Sequence, residues 1–419
     1  MKLNSLLIGC VADDFTGGSD AASFLRKAGL RTVLLNGVGD LEGVEALRPD
    51  AIVIALKSRS IPAELAVSQT LKAAKWLLEC GAAHLYFKYC STFDSTPRGN
   101  IGPVTDALME LTGSKYTVLC PSLPVNGRTV KDGILYVNGI PLAESPMRNH
   151  PINPMTKSDI SALMAEQSHY PCFILRENQR EMNMDMVQKE HAGEKYFTIV
   201  PSYSTDADGA RIAEKFGHLP LLTGGSGLLE HLGRLYSSKQ NVAHEPSARH
   251  TAPKGLPRLL LAGSCSAMTQ KQVEVYLAQG RNAVRIEPDK LLSGKQTEEE
   301  LRQAISMADG DILLYSTADS KQVQAYQRME SEQISALLET LMGRLAVYGR
   351  ECGYQRIVVA GGETSGAVIK ALNTEAFQIG EDVAPGVPEL WPVNQPGMGL
   401  VLKSGNFGDE NFFLTALAN

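Results

Sequence analysis

Short apolar runs alternate with amphipathic segments from one end of this chain to the other, and few architectures allow that. In the first half the runs are Leu6–Val11, Thr32–Leu35, Ala51–Leu56, His84–Tyr89, Tyr116–Cys120, Tyr196–Val200 and Leu219–Thr223. Helical patterns such as Pro62–Cys80, Gly102–Leu111 and Ala207–Phe216 lie between them. Strand, helix and strand in repetition make βαβ units, which need a mainly parallel sheet with helices on both faces. The pattern stops at Ser237–Pro257, where Ser, Pro and charge gather. It then resumes with strand-like runs at Arg258–Ala262, Asn282–Glu287, Asp311–Ser316, Arg356–Ala360, Phe377–Ile379 and Gly399–Leu402. Met268–Gln279, Glu298–Met307 and Ser331–Gly349 read as helices. The expected fold is therefore α/β, with two doubly wound domains at 1–240 and 258–419 and a linker at 241–257.

Composition narrows the function classes. A chain of 419 residues is too long for one ordinary core. Its net charge of −6 argues against non-specific nucleic-acid binding, which needs a basic face. No run of about 18 apolar residues is present, so no membrane span is expected. The N-terminal apolar stretch meets Asp13 and Asp14 too early for a signal peptide. Seven cysteines, widely spaced and without a metal-ligand pattern, suit a reducing cytoplasm. The GxxxxGKS/T phosphate loop, the GxGxxG dinucleotide fingerprint, HExxH and GxSxG are all absent.

The chemistry-bearing residues of the first half follow the apolar runs. The first run ends in Asp13 and Asp14, followed by FTGGSD. Two acids beside a Gly-rich turn suit a general base, a sugar-hydroxyl acceptor or a magnesium contact; a helix cap is the plainer role for one of them. Lys57, Ser58, Arg59 and Ser60 follow the third run. Lys88–Asn100 reads KYCSTFDSTPRGN and leaves the fourth, carrying Asp94, Ser95, Thr96 and Arg98. Asn126, Gly127, Arg128 and Thr129 follow the fifth. Ligands of open parallel sheets sit outside the carboxyl ends of the strands, so one sheet edge collects all four groups. Arg and Lys there suit a small carboxylate, while acids and hydroxyls suit a polyol. Together they describe a pocket for a sugar acid, its carboxylate held by some of Arg59, Lys88 and Arg98.

Pro121–Met155 resists the βαβ pattern. Two turn signals, Asn126-Gly127 and Asn138-Gly139, flank a β-like piece at Ile134–Val137, and four prolines follow. The segment is expected to be a lid or binding loop, with His150 inside it. The alternatives are a crossover connector or an arm that pairs two copies into a homodimer.

The second half differs in character. AGSCSAMT (262–269), AGGETSG (360–366) and KSGNFG (403–408) are rich in Gly, Ser and Thr, and each follows a strand-like run. Free backbone N–H groups at helix starts bind phosphate, and glycine lets the backbone approach it. Three such turns in one domain point to a nucleotide site. TGGSGL (223–228) reads as a helix-opening turn near the domain boundary.

These stretches, with FKYCSTFDSTPRGNIGPVTDAL (87–108), LPVNGRT (123–129), NHPINPM (149–155) and APGVP (384–388), resemble the four-carbon acid sugar kinases. KYCSTFDST and PVNGRT resemble the 3-oxo-tetronate kinase branch in particular. The resemblance implies an N-terminal substrate domain and a C-terminal nucleotide domain. It further implies ATP-dependent phosphorylation of the 4-hydroxyl of 3-oxo-tetronate, with Mg2+. Carried over by motif, the nucleotide contacts are Ser264, Gly361, Gly362, Glu363, Thr364 and Gly405, with Ser266 beside them. Asp14 or Asp13 is the expected base, Asp94 the third choice, and Lys88 an alternative stabiliser of the transferring phosphate. Domain closure would bring the acceptor hydroxyl in line with the γ-phosphate. A threonate or erythronate kinase is the alternative within the family. An NAD-dependent hydroxy-acid dehydrogenase and a non-catalytic sugar-acid sensor are the alternatives outside it.

Overall fold

Strand β1, Ile8–Ala12, is buried at every position and hydrogen-bonded on both sides, which is why its sequence is an unbroken apolar run. Around it the computed structural model places β2 (Thr32–Asn36), β3 (Ala51–Ala55), β4 (His84–Lys88) and β5 (Tyr116–Cys120). A small antiparallel sheet follows, of β6 (Arg128–Lys131), β7 (Ile134–Val137) and β8 (Ile140–Pro141). β9 (Cys172–Leu175), β10 (Phe197–Pro201) and β11 (Leu221–Gly224) return to the main sheet. The structure describes all residues except 1–2, 4–5, 40–42, 150–152, 177–188, 190, 240–254, 318–330 and 419. It divides into two compact units, Met1–Ser247 and Ala248–Asn419.

In the first unit the strand order is β2-β3-β1-β4-β11-β5-β10-β9, all parallel. Helix Phe15–Lys27 packs on one face and helix Ala63–Glu79 on the other. A Cβ on Gly18 would meet Ala55 Cβ at 2.8 Å, and one on Gly9 would meet Leu77 Cβ at 2.9 Å. Both helices therefore lie directly on the strands. The carboxyl ends stand level: Ala12 is opposite Ala55 and Lys88, and Gly224 is opposite Lys88 and Cys120.

The second unit holds β12 (Arg258–Ala262), β13 (Ala283–Arg285), β14 (Ile312–Tyr315), β15 (Arg356–Ala360), β16 (Ala376–Ala384), β17 (Val387–Pro392) and β18 (Gly399–Lys403). Their order is β13-β14-β12-β15-β18-β17-β16. The first five are parallel and β17 runs antiparallel to both neighbours. Leu260, Val358, Val401, Tyr276, Phe412 and Phe413 share its core. Ends are again level, with Ala262 opposite Tyr315 and Ala360, and Ala360 opposite Lys403.

The α/β reading and the parallel sheets stand, with corrections. Four strands, β6, β8, β9 and β17, were not expected, and Phe377–Ile379 lies near the start of a nine-residue strand, Ala376–Ala384. β17 carries Glu389 between two prolines and so does not read as a buried strand; Glu389 meets Arg356 Nε at 3.3 Å. Ser237, Ser238 and Lys239, which open the stretch where the apolar pattern stops, end helix Gly227–Lys239. Residues 240–254, and His150, lie outside the described residues. Pro121–Met155 is less irregular than its prolines suggest, because β6–β8 form there. Among the described residues no helix is long and apolar enough to cross a membrane. All seven cysteines are free thiols.

Candidate functional site

At the carboxyl edge of the first sheet, four charges meet. The Asp13 and Lys88 segments are joined by Asp13 N donating to the Lys88 carbonyl (3.0 Å). Ser58 N and Arg59 N both donate to the Asp13 carbonyl, at 2.9 and 3.2 Å, which brings the 57–60 loop across the end of β1. Arg59 then turns its fork onto Asp13: Nε to Oδ2 at 2.9 Å and Nη2 to Oδ1 at 2.7 Å. The same Nη2 is 2.9 Å from Asp14 Oδ1. Asp14 also caps helix Phe15–Lys27, accepting from Gly17 N (2.8 Å) and from Thr16 Oγ1 (3.1 Å). Lys88 is 3% exposed, and its Nζ donates to the Tyr89 carbonyl at 3.0 Å.

The two adjacent acids are driven apart electrostatically. Burial pushes the Asp13 carboxyl above the usual carboxylate range, and Arg59 offsets this only in part. Burial acts on Asp14 too, but Arg59, Lys88 and the Gly17 and Thr16 bonds outweigh it and hold Asp14 below that range. Burial opposes the Arg59 charge, yet the two carboxylates win and hold its guanidinium well above its ordinary value. Asp14 thus stays ionised with 27% of its side chain open, while Asp13, 8% open, is committed to Arg59. Unequal environments of this kind separate roles within a carboxylate pair.

Asn100 holds this arrangement and carried no signal as a site residue. It precedes helix Ile101–Thr112 and reads as a cap, but its side chain makes no cap bond. Nδ2 instead donates to the carbonyls of Ser58 (2.7 Å), Arg59 (3.2 Å) and Ile61 (2.9 Å). Arg128 comes to the same end: the Cys90 thiol lies within electrostatic range of both Arg128 and Arg59. Asn126 receives Arg128 Nη1 on its carbonyl.

Other expected residues have different settings. The Ser95 hydroxyl donates to Gln167 Oε1 at 2.9 Å and is buried. Asp94 accepts a long bond from Asn153 on its carbonyl (3.4 Å). Thr96 is half-buried, and Arg98 is exposed in the turn before Asn100. The TGGSGL turn is structural: Tyr86 Oη donates to the Gly225 carbonyl at 2.6 Å, and Ser226 Oγ bonds Asp20.

In the second unit the Gly-, Ser- and Thr-rich turns share one edge. Gly263 N and Ser264 N donate to the Ala360 carbonyl (3.0 and 3.1 Å), and Gly361 N donates to the Lys403 carbonyl (2.9 Å). Ser266 caps helix Ala267–Ala278. Gly361 precedes helix Gly362–Ala371 with φ +132°, a conformation that side chains resist. A Cβ there would also lie 3.0 Å from Thr364 Oγ1 and 3.2 Å from Ser264 N. Gly362 by contrast faces open space, with nothing within 4 Å of its Cβ position, and Glu363 beside it is exposed. A Cβ on Gly405 would strike Ser264 Oγ. The named nucleotide candidates are thus mutual neighbours, and exposed helix N–H groups at Gly362 and Glu363 suit an anion.

Lys403 ties this edge together, and sequence reasoning passed over it. The side chain is fully buried, and Nζ donates to Thr269 Oγ1 (3.1 Å), Ser404 O (3.0 Å) and Gly405 O (2.8 Å). Thr269 Oγ1 itself donates to Gly405 O at 2.8 Å. A lysine closing a KSG turn after an apolar run is the signal that could have marked it. Among the described residues no group of three or more His, Cys, Asp or Glu could hold a metal ion.

Two family models match the chain, one in each half. Residues 8–232 match the family model of a sugar-binding N-terminal domain, and residues 259–413 that of a nucleotide-binding C-terminal domain. A 3-oxo-tetronate kinase of Pseudomonas fluorescens is 40% identical over 98% of this chain and 96% of its own. One from Brucella melitensis is 41% identical over 99% and 96%. Among solved structures, a Salmonella typhimurium LT2 protein superposes with a TM-score of 0.84 at 39% identity, covering 98% of both chains. A Haemophilus influenzae protein superposes with a TM-score of 0.76 at 37% identity, covering 98% of this chain and 99% of its own.

Proposed function

We propose a 3-oxo-tetronate kinase activity for this chain, which belongs to the family that joins a sugar-binding N-terminal domain to a nucleotide-binding C-terminal domain. It is a sugar-acid kinase. ATP donates its γ-phosphoryl group to the 4-hydroxyl of the sugar acid, giving ADP and the 4-phosphate. The observation that carries the assignment of roles is the unequal acid pair: an ionised, partly open Asp14 beside a committed Asp13.

In this reading Asp14 orients the acceptor hydroxyl and takes its proton as the new P–O bond forms. Phosphoryl transfer has a loose transition state, so the proton leaves late and a weak, well-placed base suffices. Arg59 and Lys88 hold Asp14 ionised, and Asp13 fixes Arg59. On the second unit, the N–H groups at Gly362 and Glu363 receive phosphate, with Ser264, Thr364 and Gly405 shaping the cradle. Magnesium keeps several waters and is bound by one or two carboxylates plus substrate phosphates in kinases, which fits an edge that carries the exposed Glu363.

A screen of ATP consumption over four-carbon sugar acids and their 3-oxo forms tests this. ADP release that depends on 3-oxo-tetronate is expected, with threonate and erythronate far slower. Turnover of threonate or erythronate in preference would move the chain to that branch. Nicotinamide reduction without ADP release would favour a dehydrogenase, and binding without either a sensor.

A further inference from the structure

Arg128 stands outside the charge balance of its site. Around Asp13 and Asp14, two carboxylates meet two cations, Arg59 and Lys88, and the four compensate one another. Both Asp13 bonds and the Asp14 contact fall on the Arg59 guanidinium. Arg128 has no such partner. Its Nη1 donates to the Asn126 carbonyl, its Nε is buried without a hydrogen bond, and no carboxylate among the described residues pairs with it. Burial pushes its guanidinium below its ordinary value, and the Cys90 thiol is the group that acts the other way. A half-buried cation with an orphan N–H is costly unless an anion completes it.

The backbone keeps Arg128 there. Leu123 and Arg128 exchange hydrogen bonds at 2.9 and 3.1 Å, closing a one-turn loop over Pro124–Asn126. Gly127 has φ +72°, and its carbonyl accepts from Asn138 N at 2.7 Å. A side chain at Gly127 would collide with Asn138 Oδ1, so the two Asn-Gly turns lock against each other. The base of the arginine is thus fixed by the small β6–β8 sheet.

We propose that Arg128 recognises the carboxylate of the sugar acid and gives the site its preference for acids over neutral sugars. The proposal rests on the kinase reading above and names the group that reads its substrate. One guanidinium fork matches one carboxylate in two parallel bonds, and the negative charge of the acid settles the positive charge of Arg128. A nucleotide phosphate offers similar oxygen chemistry, and the test separates the two.

The experiment compares wild type with Arg128→Gln and Arg128→Lys. Calorimetry without nucleotide measures 3-oxo-tetronate binding, and steady-state kinetics measure phosphorylation of the acid. A neutral ketose of equal length, 1,3,4-trihydroxybutan-2-one, serves as control in both. In Arg128→Gln, affinity and kcat/KM for the acid are expected to fall about a hundredfold, chiefly through KM. KM for ATP and the weak handling of the ketose stay unchanged, and Arg128→Lys recovers part of the loss. Unchanged affinity for the acid in a folded Arg128→Gln, or a loss confined to KM for ATP, overturns the proposal. A wild type that binds the acid but consumes no ATP sinks the kinase reading instead, and calorimetry still decides the role of Arg128.

Discussion

Arg59 grips Asp13 through two parallel bonds, Nε to Oδ2 at 2.9 Å and Nη2 to Oδ1 at 2.7 Å, and so leaves Asp14 as the more open acid of the pair. The two acids are adjacent in sequence yet should fail differently when neutralised. Asp14→Asn keeps the size of the side chain and can still cap the helix. Its turnover should fall at least about a hundredfold, the usual scale for a positioned base, with little change in thermal midpoint. Asp13→Asn strips Arg59 of its main partner inside the protein and should cost about 2 kcal/mol of stability as well as turnover. Thermal melts beside steady-state rates separate the two. Near-wild-type turnover of Asp14→Asn would remove it from the role of base.

Asn100 should act on the reaction through Arg59. Its Nδ2 serves three carbonyls of the 58–61 segment. Asn100→Asp puts an acceptor where a donor is needed, against three further acceptors, and should be worse than Asn100→Ala. Both are expected to lower kcat and to leave KM for ATP unchanged, because the nucleotide candidates lie in the other unit. A rise in KM for ATP with kcat intact would show that Asn100 does not work through Arg59.

Strands buried on both faces are plain in the sequence, since Tyr116–Cys120, Arg258–Ala262 and Arg356–Ala360 are short runs dominated by apolar residues. β17 is hidden because Pro388, Glu389 and Pro392 interrupt its pattern, although the strand is buried. β9 is hidden because a strand of four residues at a sheet edge, three of them half-covered, makes a weak pattern. For the site, the run boundaries place Asp13, Arg59 and Lys88 at strand ends. They cannot say that Arg59 would choose Asp13, or that Asn100 would turn from its helix to three carbonyls. Those choices depend on contacts between distant segments, which local pattern does not encode.

Gly361 and Gly362 are neighbours with opposite tolerances, and this distinguishes damage to the fold from damage to the nucleotide site. Gly361→Val forces a β-branched residue into φ +132° against Thr364 and Ser264, so both stability and ATP affinity should fall. Gly362→Val places its Cβ in open space and should leave the melting temperature near wild type. If phosphate docks on this helix start, the same variant raises KM for ATP by about tenfold or more. Calorimetry with ATP on Gly362→Val gives the answer, and unchanged affinity would count against the cradle.

Lys403 should make the second unit sensitive to pH near neutrality. Burial pushes its ammonium down to about 7. In the unfolded chain it holds its proton to about 10.4, so between these values the unfolded state binds more protons. The stability linked to Lys403 is therefore fully present above the unfolded value and is lost as pH falls toward about 7. Lys403→Met removes the titrating group and should flatten this dependence. It also cuts the ties to Thr269, Ser404 and Gly405, so it should weaken ATP binding. The chain has two tryptophans, and the buried Trp391 lies in this unit. In a Trp76→Phe background its fluorescence follows urea unfolding of the second unit alone. A midpoint that climbs from about pH 7.5 to about pH 9.5 when Lys403 is present, and stays level in the Lys403→Met variant, is the expected result. Parallel curves for the two proteins would mean that Lys403 keeps its proton when folded, held by its three acceptors.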